Sequence, residues 1–396
     1  MPNSPHVDRR SILRAAAGLA VGAGTGALTT TPATAEPRLL QQGTQLCQLP
    51  GDSASQVGLG CGDLGIPYYR AHDRTWGYVF GDSWRGLHLG TPADGMSPAM
   101  LAQGSFDASG RTPISFTWAA PNGQAGQLFN YTRGAGTWPD CEITRIPNDC
   151  IEFGGRTFIQ YTSVASWGRE GDPPLAFGHD GSRLSGVAYS DDYGMTWQDF
   201  SYHWNGDSLN INQSLYGMWS FAGIDPDGWL YVFSKPWNGR HLKSEEGGKG
   251  WIQLFRYQPG DFYGGNFGAQ QNWAFLDNTW QWTTSAPPTI ILDDGHGIGE
   301  FSVKRIGDTY CMSYFDRDAM SISTRTAPRP DQRWSAPVQQ IVGGQDGSGK
   351  PVVPNLYGGY IHPGSASATS LTLIVSRWDG TATGPYHLLQ FDGINP

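Results

Sequence analysis

Gly228-Trp229-Leu230-Tyr231-Val232-Phe233 sets an aromatic and aliphatic run directly after a turn glycine, the pattern of a buried strand entered from a tight hairpin. Related phrases stand at Gly77-Tyr78-Val79-Phe80, Gly155-Arg156-Thr157-Phe158-Ile159, Gly307-Asp308-Thr309-Tyr310-Cys311-Met312 and Ser370-Leu371-Thr372-Leu373-Ile374-Val375. From Tyr78 through Phe158, Tyr231 and Tyr310 to Leu373 the steps are roughly 80, 73, 79 and 63 residues, as when one sheet-sized unit repeats around an axis. The spacing predicts an all-β chain, a five-bladed β-propeller in a single domain over residues 36–396, with about 72 residues per unit.

The 55 glycines and 27 prolines are scattered along the chain and cut it into short strands. The strand before each repeated phrase is expected at Leu64–Arg70, Cys150–Phe153, Met218–Ile224, Glu300–Ile306 and Asn355–Ile361, lining a central channel. Ser190-Asp191-Asp192-Tyr193-Gly194-Met195-Thr196-Trp197 fits the Asp-box turn, whose carboxylate caps the turn backbone and whose indole packs between sheets. Arg333-Trp334-Ser335-Ala336-Pro337 is a weaker echo. Both are structural signals.

The N-terminus carries Arg9-Arg10, a short Ala/Gly-rich run to Leu28 and a small-residue site at Ala33-Thr34-Ala35, so residues 1–35 read as a twin-arginine export signal. The run is too short and too weakly apolar for a membrane span. Export to the cell envelope or beyond is expected, with no membrane attachment after signal removal. Without the leader the net charge of −9 moves to about −11, and no Lys/Arg run offsets it, which argues against nucleic acid as a partner. Aromatics at 13 %, including 16 Trp, exceed what a chain with 15 % charged residues usually carries, and rings with polar rims suit sugar faces. Oligomeric state is not legible.

Five cysteines are odd in number for an oxidising compartment. Cys141 and Cys150, around a proline-containing segment, are the first expected disulfide; Cys47 with Cys61 is the second, leaving Cys311 as a buried thiol. No Cys/His spacing matches a metal site, and no metal or cofactor is expected.

Acids at the channel-facing strand starts carry the chemistry. Asp63 follows Gly62 and precedes an apolar strand; Asp82 ends the next one in Phe80-Gly81-Asp82-Ser83-Trp84, where other units have Thr162, Lys235 and Tyr314. Glu300 opens the apolar strand Phe301-Ser302-Val303, and Asp149 lies beside Asn148. Like charges in a partly dry cleft raise one another's pKa, the condition for an acid and a base to coexist near neutrality. Each has a plainer reading: a turn cap for Asp63 and Asp82, an ion pair with Arg305 or Lys304 for Glu300, and fixing of the 141–150 turn for Asp149. Tyr68, His72, Trp84 and Trp138 are the expected sugar contacts; Tyr216, Trp219, Asn355 and Tyr357 also fall at strand starts.

Gly60-Cys61-Gly62-Asp63-Leu64-Gly65-Ile66-Pro67 with Tyr78-Val79-Phe80-Gly81-Asp82-Ser83 resembles a family of secreted actinobacterial endo-D-arabinanases, once catalogued as a domain of unknown function. Met96-Ser97-Pro98-Ala99-Met100, Thr144-Arg145-Ile146-Pro147-Asn148-Asp149 and Gly299-Glu300-Phe301-Ser302-Val303 extend the likeness over nearly the whole mature chain. The resemblance implies a five-bladed propeller hydrolase that cuts within the D-arabinan of mycobacterial-type arabinogalactan and lipoarabinomannan, with Asp63 and Asp82 as the catalytic pair. Which carboxylate is the acid stays open; inversion is expected by analogy with other arabinan-cutting propellers. The alternatives are a carbohydrate-binding propeller without hydrolysis and a sialidase-like exo-glycosidase, the latter weakened by the lack of an arginine trio in the predicted channel.

Overall fold

A computed structural model describes residues 43–396 apart from 92–93, 105, 135–140, 168–180, 207–214, 238–239, 241, 294 and 345–348. The expected export signal and Trp138 therefore lie outside the described residues. Gln41–Pro396 form one compact unit.

The architecture is all-β and propeller-like: five antiparallel sheets of four or more strands, plus a two-stranded ribbon. The first sheet runs Ile66–Arg70, Thr75–Phe80, Ala99–Gln103, Trp118–Ala119, and the second Thr144–Phe153, Arg156–Ser166, Gly181–Ser190, Gln198–Asn205. The third begins Met218–Ile224, Leu230–Lys235, Ile252–Tyr257 and gains the hairpin Gln271–Leu276/Thr279–Thr283 and the short Ile290–Leu292. The fourth is Ile298–Ile306, Thr309–Asp316, Ser321–Ala327, Val338–Val342. The fifth joins Leu356–Ile361, Leu371–Trp378 and Tyr386–Ile394 to Thr44–Leu49 from the other end of the chain. The first strands of successive sheets lie against one another in order, and that of the fifth lies against that of the first.

Each repeated phrase is the second strand of its sheet, buried on both faces, which is why these runs are apolar without alternation. Gly155, Gly228 and Gly307 have positive φ and make the hairpin turn that precedes it. Gly77 differs. It lies inside Thr75–Phe80 with the Tyr68 ring where a Cβ would be, and Arg74 makes the turn instead. The Asp-box forms as expected: Asp192 accepts from Thr196 N (2.8 Å) and Oγ1 (2.6 Å), and Trp197 packs on Phe129. Trp334 packs edge-on to Phe233.

The disulfide expectation fails: none of the five cysteines is bonded to another. The segment after Cys141 is not a turn but the extended strand Thr144–Phe153, which carries Cys150 roughly 20 Å along from its start, at about 3.3 Å per residue. Cys141 Sγ donates instead to Ala165 O, Cys150 packs in the apolar core, and Cys47 Sγ donates to Gln390 Oε1. Cys311 is buried, as expected of the unpaired thiol.

Candidate active site

The ribbon pairs Cys61–Gly62 with Ser83–Trp84, Gly62 opposite Ser83. On its far side Ile66 pairs with Val79. Between these two ladders the backbone bulges through Leu64 and Gly65, both at positive φ, while Gly81 N donates to Asp63 O at 3.1 Å. Asp63 and Asp82 therefore leave adjacent antiparallel segments side by side. Gly81 has no substitute here, because a Cβ would overlap Asp63 Oδ1.

Both carboxylates line one cavity of about 370 Å³, together with Glu300, which opens the fourth sheet. Trp84, Trp167, Trp378, Tyr357 and Tyr386 form its aromatic walls, and Arg240 and Arg317 its cationic ones. Asp63 is buried, and its Oδ2 accepts from Tyr357 Oη at 2.9 Å. Burial, then the charge of Asp82 and more weakly that of Glu300, push its carboxyl up to about 7 against the hydroxyls of Tyr386 and Tyr357. Asp82 is more open. Its Oδ1 accepts from Arg133 Nη1 (2.8 Å) and Thr144 Oγ1 (2.7 Å). Glu300 is buried against Arg240 Nη1, rather than against Arg305 or Lys304.

The other expected contacts lie elsewhere. Asp149 is a core ion pair: its Oδ2 receives Lys304 Nζ (2.6 Å), Ser220 Oγ (2.7 Å) and Phe221 N (2.8 Å), and nothing of it reaches the cavity. A bulge between Pro147 and Asp149 turns it into the space between sheets. Tyr68 is in the core, its hydroxyl on Met100 Sδ, because it faces Gly77 rather than the channel. His72 follows the end of Ile66–Arg70 away from Asp63, bound to Glu152 Oε1 at 2.9 Å and stacked on Tyr193. Trp219 is wholly buried and Tyr216 packs beside it. Trp84, Asn355 and Tyr357 do line the cavity. Sequence reasoning missed Arg133, Arg240, Arg317, Trp378 and Tyr386, which sit in loops or at strand ends with no motif around them. Two of the arginines sit on the acids themselves, Arg133 on Asp82 and Arg240 on Glu300.

Among the described residues, His296, Asp316 and Asp318 have metal-binding spacing, offering ligand atoms within 4.8 Å of one another outside the cavity lining. Their oxygens already accept from Ser244 N and Oγ, Gly297 N and Ala319 N.

Residues 48–392 match the family described as Domain of unknown function (DUF4185). The chain belongs to this family. It includes secreted actinobacterial endo-D-arabinanases, and membership supports an enzymatic, glycosidase-like function. The chain is 30 % identical over 384 residues to Notoamide biosynthesis cluster protein J' of Aspergillus versicolor, covering 90 % of this chain and 91 % of that protein. It is 32 % identical over 350 residues to Notoamide biosynthesis cluster protein J of Aspergillus sp. (strain MF297-2), covering 84 % and 83 %. Among solved structures, a protein of Bacteroides ovatus ATCC 8483 provisionally described as a hydrolase shares the fold with a TM-score of 0.56 at 15 % identity, over 85 % of this chain and 86 % of that one.

Proposed function

We propose that the protein is an endo-D-arabinanase that hydrolyses internal α-D-arabinofuranosidic linkages in the D-arabinan of mycobacterial-type arabinogalactan and lipoarabinomannan. In this reading the five larger sheets are the blades of a five-bladed propeller, with Thr44–Leu49 closing the last blade and the ribbon adding the catalytic edge to the first. The observation that carries it is the convergence of Asp63 and Asp82 on one aromatic-walled cavity.

Asp63, protonated up to about pH 7, gives its proton to the leaving oxygen. Asp82, whose Oδ2 has no hydrogen-bond partner among the described residues, activates water or attacks the anomeric carbon. Glu300, held by Arg240, keeps negative charge close to the oxocarbenium-like transition state. Trp84, Trp167 and Trp378 stack on sugar rings. The twin-arginine leader delivers the enzyme to the envelope or beyond, where its substrate lies.

Purified D-arabinan incubated with the mature protein tests the reading: a rapid fall in chain length with little free arabinose supports endo cleavage. Asp63→Asn and Asp82→Asn should each lose about 10²- to 10⁴-fold in rate while still binding arabinan. Arabinan that is bound but never shortened by the wild type would leave a carbohydrate-binding propeller. The Aspergillus relatives, named for a biosynthesis cluster, favour a second reading in which the cavity takes a small molecule rather than a polysaccharide; arabinan neither bound nor cut would point there. Proton NMR of the first anomer released decides between inversion and retention.

A further inference from the structure

Three hydrogen bonds close a triangle at the boundary between the first and second sheets. Arg133 Nη1 donates to Asp82 Oδ1 at 2.8 Å and to Thr144 Oγ1 at 2.9 Å, and Thr144 Oγ1 lies 2.7 Å from the same Asp82 Oδ1. Because the Thr144 hydroxyl accepts from a guanidinium that has only donors, its own hydrogen is directed at Asp82. Thr144 is fully buried at the start of its strand, and Arg133 is almost as buried, lying over the Trp84 ring at 5.8 Å. Burial opposes the Arg133 charge, but the Asp82 carboxylate together with Tyr131 outweighs it and holds the guanidinium above its ordinary range.

We infer that Arg133 and Thr144 are positioning residues for Asp82. Two donors on one oxygen fix the rotation of the carboxylate, so that Oδ2 alone is presented to the cavity. The pair comes from outside the element that carries Asp82, so the angle of this carboxylate depends on how the second sheet seats against the first. The inference rests on the hydrolase reading and assigns no contact with substrate to either residue.

The experiment measures kcat, KM and melting temperature on purified D-arabinan for Thr144→Val, Thr144→Ser, Arg133→Lys and Asp82→Asn. Valine fills the buried site without the hydroxyl; serine restores it. Thr144→Val is expected to lower kcat about tenfold to hundredfold with KM within about twofold, as for a catalytic group displaced by a fraction of an ångström, and Thr144→Ser to recover most of the loss. Arg133→Lys keeps the charge, loses the fork, and should also lower kcat rather than raise KM. Unchanged kcat in Thr144→Val and Arg133→Lys, or losses that follow the fall in melting temperature with no recovery in Thr144→Ser, overturns the inference. Full activity in Asp82→Asn overturns the catalytic role of Asp82 and the inference with it, whereas no cleavage of arabinan by the wild type overturns the hydrolase reading itself.

Discussion

Tyr357 on the fifth sheet donates its hydroxyl to Asp63 Oδ2, a carboxyl on the turn that opens the first sheet, across a distance of 2.9 Å. The contact joins two sheets that are far apart in sequence, and the proposed acid is under the control of groups from three sheets in all: Asp82, Tyr357 with Tyr386, and Glu300.

The first prediction concerns rate against pH. An acid must be protonated to work, and Asp63 loses its proton near 7, so kcat/KM on arabinan should fall on the alkaline side with a midpoint near pH 7. Glu300 is one of the charges that raise Asp63, so Glu300→Gln should move that midpoint to lower pH. A profile flat to pH 9 in the wild type would remove Asp63 from the acid role.

Stability should follow the same group. Its folded value lies above the usual 3.8, so the folded state binds the proton more tightly than the unfolded chain. The stability this gives is complete below about pH 4 and is lost as pH rises through about 7. Urea midpoints between pH 4 and 8 should fall less steeply for Asp63→Asn than for the wild type.

Asp149 should matter for folding and not for chemistry. Lys304→Met removes the lysine paired with it and leaves a buried carboxylate with Ser220, Phe221 N and Cys150 N as donors, which should cost about 3–5 kcal/mol in urea denaturation. The folded fraction should keep its specific activity, since neither residue touches the cavity.

The thiols give a direct chemical count. Denatured without reductant, the protein should release five reactive thiols per chain, and its native melting temperature should ignore dithiothreitol. Native Cys61 and Cys311 should react slowly, because burial pushes their thiols up to about 11 and about 12.

The fold was legible because the second strand of each sheet is buried on both faces and so reads as an uninterrupted apolar run behind a turn. Each strand expected before it lies within two residues of its observed start, save Cys150–Phe153, whose strand begins at Thr144 because Pro147 falls at a bulge that the sequence presents as a turn. That misreading also produced the false disulfide. The two aspartates were visible through the glycines around them. Asp149 was not separable from them in sequence, since a buried acid with a lysine partner and a cavity acid both begin an apolar strand. Arg133, Arg240 and Tyr386 act through positions set by sheets remote in sequence, and nothing local to them carries that information.

The fifth sheet is built from both ends of the chain, Thr44–Leu49 lying beside Tyr386–Ile394. A nascent polypeptide therefore holds Thr44–Leu49 unmated until residues 386–394 have left the ribosome, so the fifth sheet is completed only after the strands of the other four have been made. Cutting away those last residues would strip Leu371–Trp378 and Thr44–Leu49 of a neighbour at once, exposing two ladder edges in the same molecule and inviting chain-to-chain pairing.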